Sequence, residues 1–423
     1  MGQASAATHL IGGSLIDGLG NDPVNNAVIS FEGDRITYAG PQAGARISRG
    51  DQKVDVAGHA VLPGLIDAHV HHIYARYRNL SEIDRVPLEG SVVKAVANAL
   101  IWLRAGFTTV RDVGTRGNIG VAIRDAIEAG VVLGPRVVAS GQIICSTAGL
   151  ADSDPAWIAN TGGLGLIVDG PEEIRRAVRA QVKQGVDNIK IEGSGAEASF
   201  FAFTWMATMS SEEMAAAVDE ARRYGKTVAC HAQSYEGAKN ALRAGVDTIE
   251  HGTRLDEESI ELFRKSHTVL VPTLVTLYSV LELAEKVGAP AKQLAEMKVN
   301  EPLWLESLRM AKEAGVTIAA GSDIGNRYVQ GDNAKEMILL VDHAGFTPME
   351  AIVAGTTNAA TALRRSDRVG SLRPGLLADV LVFGGDPLAD IHQLLDMERI
   401  RLVFKSGKEV AGAGLDHTVE VLN

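Results

Sequence analysis

Apolar and polar positions change their period twice along this chain. Residues 8–60 alternate over short runs. Thr8 to Asp17, Ala27-Val28-Ile29-Ser30-Phe31 and Arg35-Ile36-Thr37-Tyr38-Ala39 read as strands, and Glu32-Gly33-Asp34 is a hairpin turn between the last two. From Val61 the pattern becomes strand, helix, strand, helix. Strands are expected at Leu62–His69, Thr108–Val113, Arg136–Gly141, Asp187–Glu192, Thr227–His231, Asp247–His251, Thr268–Thr273 and Thr317–Ser322. Between them apolar residues recur at three- and four-residue spacing, as in Ser91–Ala105, Pro171–Gln184, Ser211–Tyr224 and Glu301–Ala314. Gly106, Gly185, Gly225, Gly245 and Gly315 each follow a helical run and precede a strand, where a helix-terminating glycine belongs. Eight such units predict a (β/α)8 TIM barrel, an α/β fold. Two more helices are expected at Asn333–Ala344 and Thr347–Leu363, the second opening on the capping pattern Thr347-Pro348-Met349-Glu350. The chain then returns to strands at Ala378–Phe383 and Ile400–Phe404. The expected division is a barrel over 61–366, flanked by 1–60 and 367–423, the two ends joining in a small β-sandwich beside it.

Composition narrows the function. Hydrophobic residues make up 46% of the chain, enough for a sizeable core. The 45 glycines exceed the roughly 30 of average usage and suit many tight strand–helix connections. The net charge is −11 and no Lys/Arg-rich run stands out, which argues against nucleic acid as a partner. No apolar stretch is long enough to span a bilayer, so no membrane association is expected. The two cysteines, Cys145 and Cys230, sit in apolar strand-like runs and read as buried thiols rather than a disulfide framework. The first residues, Met1-Gly2-Gln3-Ala4-Ser5-Ala6, show neither a basic segment nor an apolar one, so no signal peptide is visible. Cytoplasm and export both stay open.

The chemistry lies where the expected strands end. Period 2 puts His69 and His71 on one face of the first strand. In a barrel of this kind the reactive groups gather at the C-terminal strand ends. There the fifth strand carries His231, the sixth His251 and the eighth Asp323. Four histidines and an aspartate at matching ends form a metal-ligand set. Lys190 stands in the fourth strand between Ile189 and Ile191, which turns its side chain inward. A buried ammonium is costly. Either it pairs with Glu192 or Asp323, or it is a neutral amine that takes up CO2 and becomes a carbamate able to bridge two cations.

The set Pro63-Gly64-Leu65-Ile66-Asp67-Ala68-His69-Val70-His71, Lys190, His231, His251 and Asp323 resembles the amidohydrolase superfamily in its binuclear form. Gly106–Gly114, Gly134-Pro135-Arg136-Val137 and Asp247–Gly252 are similar to the branch that holds Xaa-Pro and Xaa-Arg dipeptidases and ochratoxin-hydrolysing amidohydrolases. The resemblance implies two divalent metal ions, zinc as the type. His69, His71 and Asp323 hold one, His231 and His251 the other, and carbamylated Lys190 bridges them. It implies Asp323 as the general base, a substrate with a carboxylate beside the scissile amide, and a homo-oligomer, with an octamer as one form. Mononuclear deaminases of the superfamily carry a glutamate soon after the strand-five histidine. Here His231-Ala232-Gln233-Ser234 has none. Imidazolonepropionase lacks the bridging lysine. The branch's Thr-Gly-Gly-His is Thr147-Ala148-Gly149-Leu150 here, which implies a more apolar pocket.

For the substrate, the loop after strand one offers His72, Tyr74 and Arg76, although Arg76 and Arg78 equally suit a solvated surface. Residues 143–165 with Phe200–Phe203 are expected to form a lid. Trp157, Phe200, Phe201, Phe203 and Trp205 are expected either to wall a bulky-substrate site, to pack helices or to meet another subunit. The function expected is a zinc-dependent hydrolase of amide or peptide bonds. It would release a C-terminal amino acid from N-acyl amino acids or dipeptides, ochratoxin-like amides included. A cyclic-amide or lactone hydrolase on the same site is the second reading, and a non-catalytic metal-containing scaffold the third.

Overall fold

Strands from both chain ends share one sheet. In the computed structural model, which describes residues 6–75, 77, 80–157, 163–325 and 327–412, this mixed sheet runs in the order Lys408–Gly412, Ile400–Lys405, Val380–Phe383, Ala60–Pro63, Thr8–Leu15, Val24–Glu32, Arg35–Pro41. Gln52–Asp55 lies parallel to the start of Thr8–Leu15. The two ends also share a core, with Leu10, Ile29 and Phe31 packed with Val380, Val382 and Phe404. The rings of Phe31 and Phe404 meet edge to face at 5.3 Å. Alternation along Ala60–Pro63 explains how this sheet attaches to the rest. Val61 faces the shared core, while Ala60 and Leu62 face the larger one.

The larger part is a mixed α/β body. Its strands form a six-stranded parallel sheet, Gly165–Ile167, Ile143–Cys145, Asn188–Glu192, Thr227–Ala232, Thr248–His251 and Val269–Val271, and a three-stranded one, Leu65–Val70, Phe107–Asp112 and Arg136–Val138. Nearly every residue in these strands is buried, as expected when helices cover a parallel sheet. The helices end as their sequences predict. Ser210 and Glu213 form a capping box on Ser211–Arg223, and Gly185 and Gly245 close Pro171–Gln184 and Tyr235–Ala244 in the left-handed region. Cys145 and Cys230 are buried free thiols. Among the described residues no helix is long and apolar enough to cross a membrane.

Four expectations change. The run Leu62–His69 is not one strand. It breaks at Gly64, so Ala60–Pro63 pairs antiparallel with Val380–Phe383 and Leu65–Val70 pairs parallel with Phe107–Asp112. Only glycine fits the crossing, because a Cβ there would stand 2.2 Å from Oγ1 of Thr108. The expected eighth strand, Thr317–Ser322, makes one isolated bridge, Ile318 to Leu270. Its backbone is shared out instead. Ala320 N donates to Ala354 O, Ala320 O accepts from Ala68 N, and Ser322 N donates to the Asp67 carboxylate. The helix expected at Thr347–Leu363 keeps its capping box at Thr347 but passes through a π-turn at Ala354–Asn358. Ala354, at the start of that turn, is the residue whose carbonyl Ala320 uses. Finally, the stretch read as a lid contains the paired strands Ile143–Cys145 and Gly165–Ile167. Residues 158–162 lie outside the described residues.

The Gly64 crossing gives a direct test. Gly64→Ala should lower stability by about 1–3 kcal/mol through overpacking against Thr108, read by thermal or urea unfolding. Adding Thr108→Ala should recover part of the loss. A Gly64→Ala protein as stable as the parent would contradict this account.

Candidate active site

Four imidazoles, one amine and one carboxylate line a single buried cavity: His69, His71, Lys190, His231, His251 and Asp323. The sequence places them far apart, and the parallel strands bring them together. The rings of His231 and His251 lie 4.4 Å apart, those of His69 and His251 5.2 Å, and those of His69 and His71 5.4 Å. The Asp323 Oδ1 atom is 3.4 Å from His71 Nε2 and 3.9 Å from His69 Nε2. His69, His71 and Asp323 each offer one ligand atom, all within 4.8 Å of one another.

Each imidazole has one nitrogen tied to the protein, which fixes the other. His69 Nδ1 donates to Glu250 Oε2 at 2.6 Å and His71 Nδ1 to Gly114 O at 2.7 Å. His251 Nδ1 shares a hydrogen bond of 2.6 Å with Thr273 Oγ1, and His231 Nε2 donates to Gly195 O at 3.0 Å. This leaves Nε2 of His69, His71 and His251 and Nδ1 of His231 free to ligate, the usual arrangement of metal-binding histidines. Burial keeps these rings neutral at neutral pH. It holds His71 down to about 4 and His231 to about 3, and His69 and His251 well below the ordinary range.

Within this set of six, besides the free ring nitrogens, two described polar atoms have no hydrogen-bond partner. Lys190 is 1% exposed and its Nζ makes no hydrogen bond. The Glu192 carboxylate that could have paired with it instead accepts from Ser146, Leu150 and Cys145. Asp323 Oδ1 is equally without a hydrogen-bond partner, while its Oδ2 accepts from Thr276 Oγ1 at 3.0 Å. Burial lowers the Lys190 amine and raises the Asp323 carboxyl. Such orphans are expensive in a folded protein. Four neutral nitrogens, an unpaired carboxylate oxygen and an unpaired amine are the donor chemistry of a divalent cation site. His251, Thr273 and Asp323 also hold positive φ of 71°, 51° and 50°, a strained choice for side-chain-bearing residues that tends to mark functional sites.

The supporting network escaped the sequence reading. Glu250 meets Arg111 Nη2 at 2.7 Å, and Arg111 also donates to Ala68 O and Thr248 Oγ1. Charged residues within all-buried strands were the available signal. Of the expected substrate contacts, Tyr74 lines the cavity and stacks on His71 at 4.1 Å. His72 lies outside it, with Nδ1 on Asp112 Oδ2 at 2.6 Å and its ring against Trp102. Arg76 and Arg78 lie outside the described residues. The expected aromatic wall is absent from the cavity. Trp157 is 85% exposed, Phe200, Phe201 and Trp205 are also exposed, and Phe203 packs under Lys292. The wall is aliphatic instead, with Leu80, Ile143, Leu150 and Leu164 beside Tyr74 and Tyr77.

The network carries a prediction. Arg111→Met leaves the buried Glu250 carboxylate without its guanidinium and should cost about 3–5 kcal/mol of stability, with metal affinity down roughly 10- to 100-fold as Glu250, which orients His69, loses its anchor. Denaturant unfolding and metal titration read both. A change below about 1 kcal/mol would contradict the role given to Arg111.

Comparison with known proteins agrees with this geometry. The model of the Amidohydrolase family matches residues 60–410. Ochratoxinase of Aspergillus niger is 30% identical, over 96% of this chain and 87% of its own, and its crystal structure superposes with a TM-score of 0.86, covering 97% of each chain. A prolidase crystallised with N-methylphosphonate-L-proline is 30% identical with a TM-score of 0.89, covering 96% of this chain and 100% of that one. A Xaa-Pro dipeptidase with methionine bound in its active site is 33% identical with a TM-score of 0.85, over the same shares. From the ligand cluster, the parallel sheets and these matches together, the chain belongs to the amidohydrolase family and is a hydrolase of amide bonds.

Proposed function

We propose that this protein is a binuclear, zinc-dependent amide hydrolase that releases a C-terminal amino acid from N-acyl amino acids or dipeptides, ochratoxin-like amides among them. The observation that carries this reading is the two-sided cavity. Its floor is the set of four histidines, Lys190 and Asp323, and its wall is aliphatic and aromatic, suited to an apolar side chain such as phenylalanine. The names of the similar proteins point the same way, to amide and peptide bonds. The reading places the site in a closed (β/α)8 barrel. Backbone bonds from Ala68 N to Ala320 O, from Ala319 N to Leu270 O and from Asn188 N to Ala139 O support closure where the strand ladders stop.

In this reading His69, His71 and Asp323 would hold one ion and His231 and His251 the other. The Lys190 amine, which burial moves toward its neutral form, would add to CO2, forming a C–N bond and losing one proton, and the resulting carbamate would supply anionic oxygen ligands. Ions bound there would acidify a water and polarise a carbonyl, so that attack runs at neutral pH. Asp323 would take the proton of the attacking water and deliver it to the leaving amine. The Thr276 hydroxyl keeps the Asp323 carboxylate turned to the cavity. Leu150 and its aliphatic neighbours would exclude bulk water and receive the departing residue's side chain.

A panel of N-acyl-phenylalanine and Xaa-Pro amides tests the activity, and turnover of at least one member by metal-loaded protein is expected. Asp323→Asn should retain metal yet lose at least about 100-fold in kcat. Near-normal kcat in that variant would remove Asp323 from the proton path, and a protein inert toward the whole panel would overturn the reading.

A further inference from the structure

Besides the ligand set, Thr276 and the tyrosines Tyr74 and Tyr77, the described residues that line the cavity include an acid and an amide, Glu197 and Gln233. Both are buried, at 5% and 1% exposure. The Gln233 carboxamide oxygen makes no hydrogen bond. Burial raises the Glu197 carboxyl, while the Arg327 charge and hydrogen bonds from the backbone of Glu197 and Ala198 oppose this. Arg327 does not line the cavity, and one of its guanidinium nitrogens donates to Gln293 at 2.5 Å. Lys190 is the only lysine or arginine among the described residues that line the cavity. Apart from the ligand set, two tyrosines and Thr276, whose hydroxyl donates to Asp323, the polar side chains offered to a substrate are a carboxylate and a carboxamide.

A buried acceptor without a partner, as at Gln233, is costly, and the complement of such an oxygen beside a carboxylate is a cationic group rich in N–H donors. An ammonium offers three, and a carboxylate partner makes the bonds charge-assisted. In a dipeptide the α-ammonium is two bonds from the scissile carbonyl carbon, so any pose that brings that carbonyl to the ligand set carries the ammonium into the same cavity. An N-acyl amino acid puts hydrocarbon there and brings Glu197 no cation inside the cavity.

We infer that Glu197 and Gln233 form the recognition site for a substrate's free α-ammonium, and that the enzyme favours dipeptides over N-acyl amino acids. This rests on the amide-hydrolase reading above and narrows its substrate class. It makes Glu197 a specificity residue, with no part in the proton path.

The test uses glycyl-phenylalanine and N-acetylphenylalanine, which share the scissile bond and differ in the ammonium. With metal-loaded enzyme, kcat/KM should favour glycyl-phenylalanine, and Glu197→Gln should lower the ratio of the two values by about 10- to 100-fold, as expected for a lost charge-assisted bond. Gln233→Leu should lower it less, by about 5-fold. A merely structural role for Glu197 would depress both substrates alike and leave the ratio untouched. A wild-type ratio near or below one, or a ratio that survives Glu197→Gln, overturns the inference while amide hydrolysis stands. If wild type turns over neither compound, the amide-hydrolase reading fails on this pair and the inference is read from binding. A thermal shift with glycyl-phenylalanine that Glu197→Gln abolishes supports it, and equal shifts with both compounds overturn it.

Discussion

Asp67 holds the seam on which the site depends. The segment 317–323 forms no strand ladder with Leu65–Val70, so side chains must do what a ladder does elsewhere. Asp67 Oδ1 accepts from the backbone of His69 and of Ser322, at 3.0 and 2.9 Å. Its Oδ2 accepts from Ser322 Oγ and Asn333 Nδ2, at 2.5 and 2.8 Å. Asp323 N then donates to His69 O at 2.7 Å. One buried carboxylate with four donors thus fixes the spacing of the His69–His71 pair from Asp323, and those three are the groups whose ligand atoms converge. Burial alone would push Asp67 toward its neutral form, and its hydrogen bonds oppose that.

The cavity floor concentrates free-energy costs that the surrounding fold must offset. It holds an unpartnered amine, an unpartnered carboxylate oxygen, and residues in the left-handed region at His251, Thr273 and Asp323. Around it three buried carboxylates are fully engaged. Glu250 is shared by His69, Arg111 and Thr248, Glu192 collects four donors from the Cys145–Leu150 turn, and Glu336 caps the amides of Leu274 and Val275. The contrast between these engaged carboxylates and the unpartnered amine and carboxylate oxygen of the floor marks the floor as a place where a ligand completes the structure.

That His69, His71, Lys190, His231, His251 and Asp323 would converge was legible in the sequence because strand period and barrel logic both act over a few residues. His69 and His71 share a face by alternation, His231 and His251 sit at or next to strand ends, and Lys190 is turned inward by its isoleucine neighbours. The misses arise where tertiary contacts decide. Nothing local tells Gly64 that Thr108 will lie against it, so one apolar run read as one strand although it serves two sheets. The Thr317–Ser322 run has strand composition, but its donors and acceptors go to a π-turn carbonyl and to Asp67. The aromatic residues of 157–205 look like a pocket wall in sequence. Their large rings are mostly at the surface, and smaller aliphatic residues near Ile143 and Leu164 line the cavity instead, set there by two three-residue strands too short to stand out as a pattern. Glu197 and Gln233 carried no signal, since a lone acid and a lone amide in loops read as solvated.

Metal content per chain tests the central claim most directly. Protein purified without chelator and analysed for metal should hold two zinc ions per chain, and Lys190→Ala should lose at least one of them, with partial recovery of metal and activity when a small carboxylic acid is supplied in place of the carbamate. A wild-type protein with one ion or none after zinc loading, or a Lys190→Ala protein that keeps both ions and full activity without any added acid, would contradict the account.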